Sequence, residues 1–313
     1  MRVVFIGTGD IGIPTLEWLL CSAHRVVAVV TQPDKPVGRH QELQPSAIKS
    51  RALAAGVEVL QPLKIRAQEA VDVLRALDAE VFVVMAYGQI LSRTVLDLPK
   101  VACLNLHASL LPRHRGAAPI QAAIDSGDWE SGVAVMYMAE GLDTGDVLLE
   151  RRVPIRRRET GGSLHDRLAL LAPGALEEAL ELLERAAAPR IPQEEEFATY
   201  AGKLSREHGE IRWGDPGSVD RRVRAMNPWP GAYTWLPLEG GRRKLKIFSV
   251  IQSHVESRGV PAGTVLRVER RGILVAAGAR SVWLSQVQLE GKRRMAAAEF
   301  VRGMPLKPGM VLG

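Results

Sequence analysis

The sequence predicts an α/β protein: a doubly wound, mostly parallel sheet followed by a small β-barrel. Two patterns and one charge asymmetry point there. From residue 1 to about 125, apolar runs of strand length alternate with helical spacing, as in parallel strands joined by helices. Past about residue 204 the chain becomes a series of short apolar runs divided by turn signals, the pattern of a small barrel. Residues 1–202 carry 21 Lys+Arg against 26 Asp+Glu, whereas residues 203–313 carry 20 against 9. A chain of 313 residues is long for one compact domain and comfortable for two. The expected division is a first domain over 1–188, a linker over 189–204 and a basic second domain over 205–313.

In chain order, residues 2–6 read as a buried strand and Ile11 to Leu20 as a helix. Between them Gly7-Thr8-Gly9-Asp10-Ile11-Gly12 fits the GxGxxG template of a dinucleotide site. That reading needs an acidic residue closing the second strand, Val26 to Val30, but the strand ends Thr31-Gln32-Pro33, with Asp34 only after the proline. The fingerprint is incomplete, so NAD is not expected; a tight turn that needs small residues explains the glycines as well. Residues 32–46, with three prolines, form a polar loop of a length that is often functional. Ala47 to Ala55 and Ala67 to Leu77 have helical spacing. Val81 to Met85 is a continuous apolar run, a strand buried on both faces, ending in Ala86-Tyr87-Gly88-Gln89-Ile90-Leu91. Val101 to Leu104 is a further strand, Val133 to Met138 and Val147 to Ile155 two more, and Leu164 to Leu183 a long amphipathic helix with glutamates outside. Residues 186–203, with two prolines and three consecutive glutamates, read as the join to the second domain. There the expected strands are Leu245 to Ile251, Thr264 to Val268, Gly272 to Ala276 and Val282 to Val287.

Composition excludes several classes. No apolar run approaches the length of a membrane span, and MRVVFIGTGD reads as a first strand rather than a signal peptide. Two cysteines in apolar settings, Cys21 and Cys103, suggest neither disulfides nor a thiolate metal site, and no HExxH or similar spacing suggests metal. The expectation is a cytoplasmic monomer with no membrane contact and no metal. The positive balance of the second half suggests a polyanionic partner, with a merely soluble basic domain as the alternative.

The chemistry-bearing stretch is residues 101–146, VACLNLHASLLPRHRGAAPIQAAIDSGDWESGVAVMYMAEGLDTGD. Asn105 and His107 follow a strand, at the edge where open α/β sheets bind ligands. Asp143 and Asp146 follow another apolar run. An amide can donate to a carbonyl oxygen that becomes an oxyanion, an imidazole can move a proton near neutral pH, and a carboxylate can favour the charged imidazole. The trio suits acyl-type transfer.

Asn105-x-His107-x-Ser109-Leu110-Leu111-Pro112, then Arg115-Gly116, then Gly141-Leu142-Asp143-Thr144-Gly145-Asp146, resembles the formyltransferases that use 10-formyltetrahydrofolate. The resemblance runs from the Gly7 turn to the last strands. The run AAPIQAAI and the C-terminal half, with Met226-Asn227-Pro228-Trp229-Pro230-Gly231 and Leu289 to Met295, are most similar to members whose acceptor is methionyl initiator tRNA. It implies a Rossmann-like formyltransferase domain and an OB-like barrel. It also implies catalytic Asn105, His107 and Asp143, the last chosen over Asp146. Folate contacts are implied for Ser109, Leu110, Leu111, Pro112, Tyr87, Gly88, Ile90 and Leu91. Binding of tRNA is implied for the loop of Arg39 and for the basic domain, with Arg242, Lys244, Lys246, Lys292 and Arg293 as candidates. The chain departs from the pattern at Gly9, where the family usually has proline, and at His40-Gln41-Glu42, where it often has paired lysines. The second departure favours the alternative, a formyltransferase acting on a sugar nucleotide or another small amine.

Overall fold

The computed structural model describes residues 1–37, 42–304 and 306–313. The chain forms two compact units, one of Met1–Pro119, Glu130–Pro154 and His165–Ala201, the other of Ile120–Trp129, Ile155–Leu164 and Gly202–Gly313. Among the described residues no helix is long and apolar enough to cross a membrane.

The first unit is built on β1 (Arg2–Gly7), α1 (Ile13–Cys21), β2 (Arg25–Val30), the short antiparallel pair β3 (Lys35–Val37) and β4 (Glu42–Gln44), α2 (Ala47–Ala54), β5 (Val59–Leu60), α3 (Gln68–Ala76), β6 (Val81–Met85), α4 (Arg93–Leu96) and β7 (Ala102–His107). It continues with β8 (Arg115–Gly116), into α5 (Pro119–Ser126), then β9 (Glu130–Tyr137), β10 (Val147–Pro154), most of α6 (Gly161–Glu184) and β11 (Tyr200–Ala201). The main sheet runs β10-β9-β7-β6-β1-β2-β5. Its five strands from β7 to β5 are parallel, and β9 and β10 add an antiparallel edge. Alternation along the strands feeds both faces. Val4, Ile6, Phe82 and Val84 join Val71 and Leu74 of α3 and Val95 of α4 in one core. Phe5 faces the other way, into the space beside Gly12 and Ile48. Local signals are used as written: Ser46 caps α2 by accepting from the Lys49 amide at 3.1 Å.

The Gly7–Gly12 turn is accounted for by packing. A Cβ on Gly7 would lie 2.7 Å from the Phe5 ring and 2.8 Å from the Met85 carbonyl oxygen. The Thr8 and Gly9 amides both donate to the carbonyl of Ala86, at 3.3 and 3.2 Å.

The second unit holds α7 (Pro216–Ala225), β12 (Tyr233–Leu238), β13 (Gly241–Ser253), β14 (Val265–Glu269), β15 (Gly272–Ala277), β16 (Arg280–Leu289), β17 (Met295–Ala296) and α8 (Ala297–Phe300). Asp215 caps α7 from Gly217 and Ser218, with Pro216 at the first helical position. The strands form a curled antiparallel sheet, β12-β13-β16-β15-β14, with β17 beside β16. Register shifts around Ser249 break the long ladder between β13 and β16, and such irregularities let a strand bend. Leu245, Ile247, Ile273, Val275, Val282, Leu284 and Val287 fill the inside. The four strands expected here are all present; β12 and α7 had no clear apolar period and are additions.

Candidate active site

β7 runs through His107 rather than stopping at Leu104. Asn105 and His107 therefore belong to the strand, two residues apart, and point to the same face. β9 pairs with both, Asn105 opposite Met136 and His107 opposite Ala134. Asn105 and His107 are both buried.

Asp143 arrives from the turn after β9, 38 residues beyond Asn105 in sequence, and its φ is +52°. Its Oδ1 accepts from Asn105 Nδ2 at 3.3 Å. Its Oδ2 accepts from the Gly116 amide at 2.8 Å and lies 3.6 Å from His107 Nδ1. His107 Nε2 lies 3.0 Å from the His114 carbonyl oxygen. A carbonyl only accepts, so Nε2 carries the proton. In the neutral ring Nδ1 is then the basic nitrogen, and it faces the Asp143 carboxylate. Asn105 spends one amide hydrogen on Asp143 and keeps the second.

The surrounding loops are tied down by Arg115 of the family pattern and by Gln193, Glu195 and Thr199, which no sequence pattern marks. Arg115 is fully buried. Its guanidinium donates to Gln193 Oε1 at 3.0 and 2.8 Å and to the Glu195 carboxylate at 2.9 and 2.8 Å. Glu195 holds the Arg115 ionisation above its ordinary value, and the guanidinium holds the Glu195 carboxyl below its own. Thr199 Oγ1 accepts from the His114 amide at 2.8 Å. β11 pairs with β8, Ala201 beside Gly116. At Gly116, φ is +115° and a Cβ would lie 2.6 Å from the Ala201 carbonyl oxygen, so this position admits only glycine.

The residues expected to line a folate pocket fall into three groups. Val84 of β6 is level with Asn105 of β7, so the turn leaving β6 starts beside the trio. In that turn Gly88 and Ile90 are exposed, Ile90 at 78%. Tyr87 and Leu91 instead pack into the core; burial pushes the Tyr87 phenol up to about 12, and its main-chain carbonyl accepts from Thr8 and Gln32. In the loop after β7, Ser109 is buried and donates to the Arg113 carbonyl at 2.7 Å. Leu111 packs with Ala134, Met136 and Val147, while Leu110 and Pro112 are partly exposed or at its edge. Among the described residues no three His, Cys, Asp or Glu side chains gather as a metal-ligand set.

Three of the basic candidates of the second unit share one strand. Arg242, Lys244 and Lys246 alternate along β13, opposite Pro237, Trp235 and Tyr233 of β12. The Lys244 ammonium lies 3.9 Å from the Tyr233 ring centre and 5.2 Å from that of Trp235. Gln288, paired with Lys246, donates to the Lys292 carbonyl at 2.7 Å, which places the main chain of that turn beside the pair. Arg293 pairs with Glu299 at 2.6 Å. Arg39 lies outside the described residues.

A mostly parallel sheet that brings an amide, an imidazole and a carboxylate together at the end of β7, followed in the chain by a curled antiparallel domain, has the make-up of an α/β group-transfer enzyme. The chain matches the formyl transferase family model over residues 1–180 and the formyl transferase C-terminal domain model over residues 203–305. It belongs to the formyl transferase family. It is 48% identical to the methionyl-tRNA formyltransferase of Methylacidiphilum infernorum, covering 100% of this chain and 98% of that protein. It is 46% identical to that of Moorella thermoacetica, covering 100% and 99%. Among solved structures, a sugar 3N-formyl transferase with dTDP and 5-N-formyl-THF superimposes with TM-score 0.67 at 15% identity, covering 94% of this chain and 99% of that one. An N-formyltransferase from Helicobacter canadensis gives 0.64 at 15%, covering 91% and 98%. At that identity the structures establish the shared fold.

Proposed function

We propose that this protein moves the formyl group of 10-formyltetrahydrofolate onto the α-amino group of methionine esterified to initiator tRNA. The observation that carries the acceptor is the identity of 48% and 46% to methionyl-tRNA formyltransferases over the whole chain, basic second unit included. The geometry of the first unit supplies the chemistry. The neutral amine attacks the formyl carbon bound to N10 of the folate, and the carbonyl oxygen takes up negative charge. Asn105 donates its remaining amide hydrogen to that oxygen. His107 Nδ1 takes the proton released by the amine, and Asp143 at 3.6 Å stabilises the imidazolium. The carbon–N10 bond then breaks, its electron pair returns to N10, and the proton is delivered there. The products are formyl-methionyl-tRNA and tetrahydrofolate.

In this reading the turn from Tyr87 to Leu91 and the loop from Ser109 to Pro112 hold the folate, Tyr87 and Leu91 through main-chain groups. Residues 1–188 form the catalytic domain and 205–313 the tRNA-binding domain, joined by 189–204. Arg242, Lys244, Lys246, Lys292 and Arg293 meet backbone phosphates, which position rather than specify; the loop of Arg39 is the candidate reader of the acceptor stem. One chain carries both the trio and the cationic face, so a monomer suffices, and a substrate of translation is met in the cytoplasm in this reading.

The test is formyl transfer from 10-formyltetrahydrofolate to methionyl initiator tRNA, with a sugar-nucleotide amine and glycinamide ribonucleotide as parallel acceptors. Rapid transfer to the tRNA alone is expected. Transfer only to a small amine would overturn the acceptor and keep the trio. No transfer to any acceptor would overturn the catalytic reading.

A further inference from the structure

Gln193 lies outside every helix and strand and is only half-buried, yet its side-chain amide is fully engaged. Oε1 accepts from Arg115 Nε at 3.0 Å and Nη2 at 2.8 Å. Nε2 donates to the main-chain carbonyls of Asp143 at 2.8 Å and Gly145 at 2.7 Å. The partners dictate the orientation, because a guanidinium only donates and a carbonyl only accepts. Arg115 is buried and anchored again by Glu195. A chain of bonds thus runs from β8, through Gln193, to the turn that carries the carboxylate.

That turn needs holding. Asp143 at φ +52° is in a region a residue with a Cβ occupies at a cost, and it persists there because neighbouring bonds over-determine it. A modest rotation of the turn would swing the carboxylate away from Asn105, His107 and the Gly116 amide together.

We propose that Gln193 is a positioning residue for formyl transfer: by tying the Asp143 and Gly145 carbonyls to buried Arg115, it sets the direction in which the Asp143 carboxylate faces His107 and Asn105. The inference rests on the trio being the transfer site. Gln193 acts through Asp143, and its chemistry is specific. A glutamate there still accepts from Arg115 but sets carboxylate oxygens against two carbonyls. A methionine keeps the length and loses both sets of bonds.

The experiment uses the intact protein and the variants Gln193→Glu and Gln193→Met. In both, kcat is expected to fall about tenfold or more, as small misplacements of a reacting group do. KM for folate and for methionyl-tRNA should stay within about twofold, and Tm within about 3 °C. A kcat within about threefold of wild type overturns the proposal. So does a loss that follows Tm and raises both KM values, which is the signature of a structural part. A second readout needs no substrate: the crystal structures of the wild-type protein and Gln193→Met. In Gln193→Met the Asp143 carboxylate should leave its place 3.6 Å from His107 Nδ1 and 3.3 Å from Asn105 Nδ2. A carboxylate that stays in place overturns the proposal whatever the transfer assay shows. A wild-type protein that transfers nothing to any acceptor would instead remove the functional reading itself.

Discussion

At the end of β7 one carboxylate is shared by an amide at 3.3 Å, an imidazole at 3.6 Å and a main-chain N–H at 2.8 Å, with Asn105 and His107 buried. Along β13 the groups proposed to meet phosphates are cations on a strand face, Arg242 and Lys246 exposed and Lys244 lying over Tyr233. The two regions meet different physical demands. Stabilising a developing charge requires a donor in place before the charge appears, within tenths of an ångström, in a site with little water. Attracting a polyanion requires only positive charge spread over a surface, because screened charges act over about 10 Å and tolerate movement. The first is therefore over-determined by hydrogen bonds and brittle, and the second is redundant and forgiving.

The contrast is tested most severely at Asn105. Asn105→Ala should lower the single-turnover rate on the order of a hundredfold or more, as loss of an oxyanion donor does, with tRNA affinity nearly kept. A rate within a few-fold of wild type would show that the brittle region is not where the charge develops.

Gly116→Ala comes next. It forces a Cβ to φ +115° and into the Ala201 carbonyl, and it disturbs the N–H that Asp143 accepts from. A loss of about 1–3 kcal/mol is expected, read by denaturant unfolding, together with a drop in turnover. An unchanged unfolding midpoint would mean that the β8–β11 approach relaxes freely.

On the forgiving side, Lys244→Ala should weaken tRNA binding only a few-fold, about 1 kcal/mol or less, because neighbouring cations remain. The slope of log affinity against log salt should become shallower by about one. A loss of several kcal/mol from this single change would make the cationic face as exacting as the crevice.

The smallest effect concerns acid. The Arg115 guanidinium holds the Glu195 carboxyl below its ordinary value. A depressed carboxyl contributes stability that is complete above the ordinary glutamate value and is lost as pH falls through the folded one. Glu195→Gln removes that contribution, so its Tm should decline less steeply than wild type through the acid range. Asp34 and Asp78, held down by Lys49 and Lys100, remain, so the flattening is partial. An identical acid limb in the two proteins would show that the pair does not differ between folded and unfolded chains.

Much of the molecule was legible because it is written in periodicity. The runs at residues 2–6 and 81–85 became β1 and β6, and the spacing at 47–55 and 67–77 became α2 and α3. The change of pattern past residue 204 marked the curled antiparallel sheet. Asn105, His107 and Asp143 were legible as residue types at strand ends, with the family pattern choosing Asp143 over Asp146. Strand ends were less legible: polar Asn105 and His107 interrupt the apolar run of β7, yet the ladder continues through them because β9 pairs with that stretch.

What periodicity could not show depends on residues far apart in the chain. Gln193 meets Asp143 and Gly145 from 50 and 48 residues away, and Arg115 from 78. The tautomer of His107 is set by the carbonyl of His114, whose amide is held by Thr199, 85 residues on. Such bonds leave no period in the sequence, since one side chain satisfies one main-chain group at one place. Burial of apolar faces repeats with every turn or pleat, so most elements, though not β12 or α7, and the chemical groups at their ends could be read from the chain alone. The direction in which those groups point was decided by the fold, because it depends on single hydrogen bonds that exist only once distant segments have packed together.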